Sequence, residues 1–122
     1  MPPSFHLALG VPSLEEAVDF FTNVLPGVVS HRDSSGYVNV DLSGARITFK
    51  ETPEMVTPPP EFHFGVNLEM NDFAEIEERV RARRPESIVS PPRTVDAGTP
   101  MERRKMYVAA CGYTVEIKGY PA

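Results

Sequence analysis

EFHFGVNLEM, residues Glu61 to Met70, decides how this chain is read, because SFHLALGV, Ser4 to Val11, has already said nearly the same thing. Each stretch carries a Phe-His pair and an apolar run, and each leads into a helix-like pattern. His6 and His63 therefore hold equivalent places in two halves of about 60 residues, the signature of a duplicated unit.

Working outward from the first copy, Phe5 to Val11 is a strand bounded by prolines. PSLEEAVDFFTNVLPG then reads as a helix: Ser13 caps it, Glu16 completes a capping box, and Pro26-Gly27 ends it. Leu14, Ala17, Val18, Phe21 and Leu25 form its apolar stripe. Val28 to Arg32, Tyr37 to Leu42 and Ala45 to Glu51 read as strands, separated by turns at Asp33-Ser34-Ser35-Gly36 and Ser43-Gly44. Thr52 to Pro60 is a proline-rich spacer. The pattern then restarts with a strand from Phe62 to Leu68. A helix follows, capped by Asn71 or Asp72, with Phe73, Ile76 and Val80 on its stripe, and Pro85 breaks it after Arg84. Ile88-Val89 is short, Pro91-Pro92 interrupts, and Arg93 to Ala97 leads into a Gly-Thr-Pro turn. Arg104 to Ala110 and Tyr113 to Tyr120 close the chain as strands around Gly112. Both halves read βαβββ. Residues 1–122 are thus expected to form one α+β domain, with modules at 1–51 and 61–122 and a linker at 52–60.

Side chains alternate across a strand, so each strand presents two sets. Phe62, Phe64, Val66 and Leu68 point toward the helix, leaving His63, Gly65 and Asn67 on the opposite face. Phe5, Leu7 and Leu9 likewise oppose His6, Ala8 and Gly10, and Val115 and Ile117 oppose Thr114, Glu116 and Lys118. His6, His63 and Glu116 become three candidate metal ligands on non-helix faces. Two neutral imidazoles and a carboxylate suit a divalent ion (Fe, Mn, Zn, Ni or Co) and leave positions open for a substrate. One histidine on a polar sheet face is usually just solvated; the repeat is what raises this pair above that reading. Tyr37, Asn39, Arg46, Thr48, Lys50, Asn67 and Lys118 are candidates to line the cavity and bind polar substrate groups. No general base stands out. Four other features read as structural: His31 as an exposed strand end, Glu77 with Arg81 as a helix-surface pair, Arg103 to Lys105 as a solvated loop, with a cation placed near an anionic substrate the rarer alternative, and Cys111 as a turn residue, with a redox or nucleophilic role the rarer alternative.

Composition narrows the function classes. Hydrophobic residues make up 41% and charged residues 24% of the 122, as in an ordinary globular protein. A net charge of -5 argues against a nucleic-acid partner, which wants a basic surface. Neither an apolar run long enough to span a membrane nor a signal-peptide pattern is present, and the single cysteine suits a reducing compartment, so the expected location is the cytoplasm. The thirteen prolines fall in short clusters that punctuate elements.

These residues resemble the vicinal oxygen chelate superfamily, which includes glyoxalase I, extradiol dioxygenases, fosfomycin-resistance transferases and bleomycin-resistance binding proteins. The resemblance spans nearly the whole chain, through FHLALGVPSLEEAVDFF, FHFGVNLEMNDF and GYTVEIKGY. It implies two βαβββ modules in a half-open barrel around a metal, with His6, His63 and Glu116 at three ligand positions, a small-molecule substrate chelated through adjacent oxygens, and a homodimer. Thr48 stands where glyoxalase I carries a fourth ligand, which argues against that activity. Ala109-Ala110-Cys111-Gly112 keeps only the glycine of the Asp-Pro-x-Gly turn that many relatives have. The retained His-His-Glu set favours a metal-dependent enzyme of that superfamily, a lyase, dioxygenase or transferase, and the alternative is a metal-free protein that sequesters an antibiotic.

Overall fold

The computed structural model describes Pro3 and residues 5–122; Met1, Pro2 and Ser4 lie outside the described residues. The chain forms two compact units, Met1–Thr57 and Pro58–Ala122. Each is a βαβββ module with an open four-stranded mixed sheet.

In the first module, β1 (Phe5–Val11) leads into α1 (Leu14–Asp19), followed by β2 (Val28–Arg32), β3 (Tyr37–Leu42) and β4 (Ala45–Glu51), with sheet order β1-β4-β3-β2. β1 runs parallel to β4, and the other pairings are antiparallel. Ser13 caps α1 by accepting the Glu16 N–H at 3.3 Å, as the capping-box spacing predicts. The apolar stripe differs from the expected one. Phe20 and Val24 are buried beside Phe21 and Leu25, whereas Leu14 and Val18 are only half-buried. The buried set Ala17, Phe20, Phe21, Val24 and Leu25 keeps the i, i+3, i+4, i+7, i+8 spacing of a helix, on a face rotated from the expected one. The segment closes in a π-helical turn over Phe20–Val24, with Leu25 N–H donating to Phe20 C=O at 3.0 Å. Phe21 then meets Phe49 with ring centroids 4.9 Å apart.

The second module repeats this plan with β5 (His63–Glu69), α2 (Met70–Arg83), β6 (Ile88–Val95), β7 (Arg103–Ala110) and β8 (Tyr113–Tyr120), in the order β5-β8-β7-β6. Phe73, Ile76 and Val80 are buried along α2, as their spacing requires. Three local expectations are corrected. Neither Asn71 nor Asp72 caps α2: the strand passes directly into the helix at Met70, and the capping position falls to Glu69 without a side-chain bond. Pro91-Pro92 does not interrupt β6, because β6 is the edge strand and absorbs the prolines through register shifts between Ile88 and Arg93. Arg103 to Lys105 is not a loop but the opening of β7. Phe5 and Phe62, expected in the core, are exposed: Phe5 opens β1, whose burial rises toward Val11, and Phe62 precedes β5, in which Val66 alone is fully buried.

The duplication extends to the turns. β3–β4 and β7–β8 are joined by two-residue loops, Ser43-Gly44 and Cys111-Gly112, in which both residues have positive φ. Such turns match the twist of the flanking strands. Among the described residues no helix is long and apolar enough to cross a membrane.

α2 lies so close on β8 that a Cβ at Gly119 would meet the Phe73 Cβ at 2.5 Å. A rotamer change cannot relieve contact with a Cβ, so the helix itself would have to move. Gly119→Ala is expected to destabilise the fold by about 1–3 kcal/mol in urea unfolding. Phe73→Leu in that background should recover little, since the clashing Cβ remains; full recovery would mean that the ring alone sets the spacing.

Candidate functional site

The non-helix face of the second module is built by register. β5 pairs with β8 in parallel, setting His63 opposite Thr114 and Gly65 opposite Glu116, while β7 sets Tyr107 opposite Glu116 and Lys105 opposite Lys118. Met106, Val108, Val115 and Ile117 are buried on the other side. His63, Lys105, Tyr107, Glu116 and Lys118 therefore share the open face.

Glu116 is the centre of that group. His63 Nε2 lies 3.7 Å from its Oε1, Lys118 Nζ lies 3.7 Å from Oε1, and Lys105 Nζ lies 3.8 Å from Oε2. The Tyr107 hydroxyl donates to the same carboxylate. Only 13% of the Glu116 side chain is exposed, so these are not loose surface ion pairs. Burial pushes the Glu116 carboxyl up, but the Tyr107 hydrogen bond, Lys118, Lys105 and His63 together outweigh burial and hold it below the usual range. The Tyr107 hydroxyl is pushed up, first by its bond to Glu116 and then by burial. Its ring packs edge-on to His63, with centroids 5.6 Å apart, and the Lys105 ammonium lies 5.4 Å from its centroid.

The orientation of His63 follows from its other nitrogen. Nδ1 sits 3.3 Å from the Pro60 carbonyl oxygen, which can only accept, so Nδ1 carries a proton and Nε2 is the nitrogen that faces Glu116. Facing Glu116 Oε1 at 3.7 Å, a neutral ring presents a lone pair there and an imidazolium an N–H, so the neutral form leaves room for a cation between the two atoms. Donors bound to one ion at about 2.0–2.2 Å stand roughly 3.0–3.5 Å apart, so a small side-chain adjustment lets this pair share a divalent cation. Within the described residues, no cluster of three or more His, Cys, Asp or Glu that could hold a metal forms. In this module the converging donors are His63 and Glu116 alone.

The first module carries the same positions with different chemistry. Thr48 takes the place of Glu116 and Asn39 that of Tyr107, and Thr48 Oγ1 donates to Asn39 Oδ1 at 2.8 Å. Lys50 corresponds to Lys118, and Tyr37 to Lys105. A cavity of about 300 Å³ opens on this face, lined by Ala8, Gly10, Tyr37, Thr48, Lys50 and Thr52. Arg46 is held by Asp41, with Nε 2.9 Å from Oδ1, and this bond draws the Asp41 carboxyl below its ordinary range. His6 is exposed on β1, opposite Arg46. Asn67 is exposed on β5, opposite Lys118.

Of the candidates from sequence, the structure brings together His63, Glu116 and Lys118 in one module, and Asn39, Thr48 and Lys50 on one face of the other. It adds Lys105 and Tyr107. Alternation along RRKMYVAA carries the signal for both, because burying Met106 and Val108 turns Lys105 and Tyr107 outward.

No protein-family model matches the chain, and no curated protein matches it. Solved structures do. The two open βαβββ sheets define the glyoxalase/bleomycin resistance/dioxygenase fold of the vicinal oxygen chelate superfamily. The chain is similar to a glyoxalase/bleomycin resistance protein/dioxygenase from Alicyclobacillus acidocaldarius, with TM-score 0.76 and 19% identity over 95% of this chain and 89% of that one. It is similar to the fosfomycin resistance protein FosX from Listeria monocytogenes at TM-score 0.76 and 17% identity, covering 98% and 94%. A glyoxalase/bleomycin resistance protein/dioxygenase from Nocardioides follows at TM-score 0.67 and 25% identity, covering 99% and 85%.

The Tyr107 bond makes a pH prediction. Because the folded-state pKa of Glu116 is depressed, its stabilisation is present above the unfolded value, about 4.3, and is lost as pH falls through the folded value. Tyr107→Phe removes one of the groups that depress it, so the folded pKa rises and the loss of stability in acid becomes smaller. A carboxyl-carbon NMR titration of Glu116 reads the shift. A midpoint that stays put or falls would remove Tyr107 from this role.

Proposed function

We propose that the chain binds a small molecule on the non-helix faces of its modules and acts on it with a divalent metal held by His6, His63 and Glu116. The observation that carries this reading is His63 Nε2 converging on Glu116 Oε1 at 3.7 Å, with Nδ1 anchored on Pro60. His6, from the same chain or from a second copy in a homodimer, supplies the third donor. Fe, Mn, Zn, Ni and Co all accept a two-imidazole, one-carboxylate set. When bound, the metal supplies Lewis acidity to a ligand chelated through adjacent oxygens. The chain's own residues do the rest. Tyr107 holds the Glu116 carboxylate in place, and Asn39, Arg46, Thr48, Lys50, Asn67 and Lys118 offer polar contacts to the ligand. The likeness to glyoxalase, dioxygenase and fosfomycin-resistance folds supports a small-molecule role, and the single cysteine suits a reducing cytoplasm.

A second reading, a metal-free binding protein of the bleomycin-resistance type, has its own support. The Lys105 and Lys118 ammonium groups, at 3.8 and 3.7 Å, already neutralise Glu116 and compete with any dication there.

Metal analysis by mass spectrometry on untagged, chelator-free protein separates the two. The enzyme reading expects about one equivalent per chain, with His63→Ala and Glu116→Gln each weakening retention by roughly tenfold or more. Protein that takes up none of the five ions leaves the binding reading standing.

A further inference from the structure

We propose that the second module's open face binds an oxyanion, a carboxylate or phosphate-class group, through Lys105 and Lys118, with Arg93 at the rim. The inference rests on the reading of this face as the ligand site and names the charge class of the ligand. In the sheet register Arg93 pairs with Lys105 and Lys105 pairs with Lys118. Directly opposed residues on antiparallel strands share a face, so three cations cross β6, β7 and β8 in one row. Like charges placed opposite one another destabilise a sheet. This chain builds such a row although its 17 acidic residues outnumber its 12 basic ones.

Nearby counter-charge does not balance the row. Glu116 is one carboxylate against three cations, and it is shared by both lysines. Arg103, the next cation along β7, is already held by Asp96 at 2.8 Å. The lysines are also poorly hydrated, with 16% and 26% of their side chains exposed, so water screens the surplus weakly. A bound dication would add to the imbalance. In the first module, Tyr37 occupies the position of Lys105, and the pairing of two lysines is absent there. An oxyanion seated on Lys105 and Lys118 adds a second negative partner to a pair that otherwise shares Glu116.

The test titrates inorganic phosphate and, separately, acetate into the chelator-treated full chain at constant ionic strength, reading amide shifts on β7 and β8 and calorimetric affinity. At least one anion should saturate with shifts centred on Lys105 and Lys118, and the better of the two assigns the phosphate or carboxylate class. Lys105→Gln and Lys118→Gln should each weaken binding about tenfold. Glu116→Gln should tighten it severalfold, because it removes the competing carboxylate while deleting a metal ligand. No saturable shift with either anion overturns the proposal, as does wild-type affinity in both lysine variants or loss of binding in Glu116→Gln. Circular dichroism checks each variant, and if one lysine variant fails to fold, the other and Glu116→Gln carry the test. Metal content measured on untreated samples separates the outcomes: anion binding without metal overturns only the metal reading, and metal without anion binding overturns only this one.

Discussion

Each module depends on the parallel pairing of its first and last strands. A parallel partner cannot be reached by a tight turn, so the chain must leave the sheet and return. Here the excursion carries the helix and two intervening strands, which become the cover and the remainder of the same sheet. The pairing does more than close the module. It sets residue 63 beside residue 116 and forces the two backbones together, so that a Cβ at Gly65 would lie 1.9 Å from the Glu116 carbonyl oxygen. Only glycine permits that approach. The position of the Glu116 backbone is therefore a consequence of what β5 lacks at residue 65, and the His63–Glu116 distance follows from it.

Duplication explains the frame, and divergence explains the chemistry. The two modules share the parallel pair, the helix that covers it, the positive-φ hairpin and a hydrogen bond between neighbouring side chains on the open face. In the first module that bond joins two neutral groups, Thr48 and Asn39. In the second, a carboxylate and a phenol replace them, and a lysine stands where the first has Tyr37. The frame tolerates such changes because residues on the open face do not pack in the core; Ile47, Phe49, Val115 and Ile117 beneath them are buried in both modules.

The alternation of strands made most of this legible. The bounds of β2, β3, β4 and β8 follow from it residue for residue, as does the outward placement of His6, His63, Glu116 and Lys118. What stayed hidden depends on tertiary context. The segment from Leu14 to Leu25 offers two overlapping apolar stripes, and tertiary packing selects the one that holds Phe20 and Val24. β6 tolerates Pro91-Pro92 only because it lies at the sheet edge, and edge position is a property of strand order. The RRK run read as solvated because a cluster of cations is usually solvated; in β7, alternation instead turns Lys105 toward Glu116.

The open face of the second module makes two opposing electrostatic demands. Glu116, with the neutral form of His63 beside it, favours a cation, while Lys105, Lys118 and Arg93 repel a cation and favour an anion. At separations near 4 Å in a partly dry site, neither demand is negligible, since a pair of unit charges interacts by about 4 kcal/mol at an effective dielectric of 20. A ligand that brings its own oxyanion meets both at once: its charge offsets the lysines, and its oxygens complete the coordination of a cation held by the acceptors. On this reading, cation and anion each lower the cost of binding the other, and by linkage the coupling is the same in either order of addition. The same row of lysines that weakens the site for a bare ion would then make it selective for an ion that arrives with its ligand.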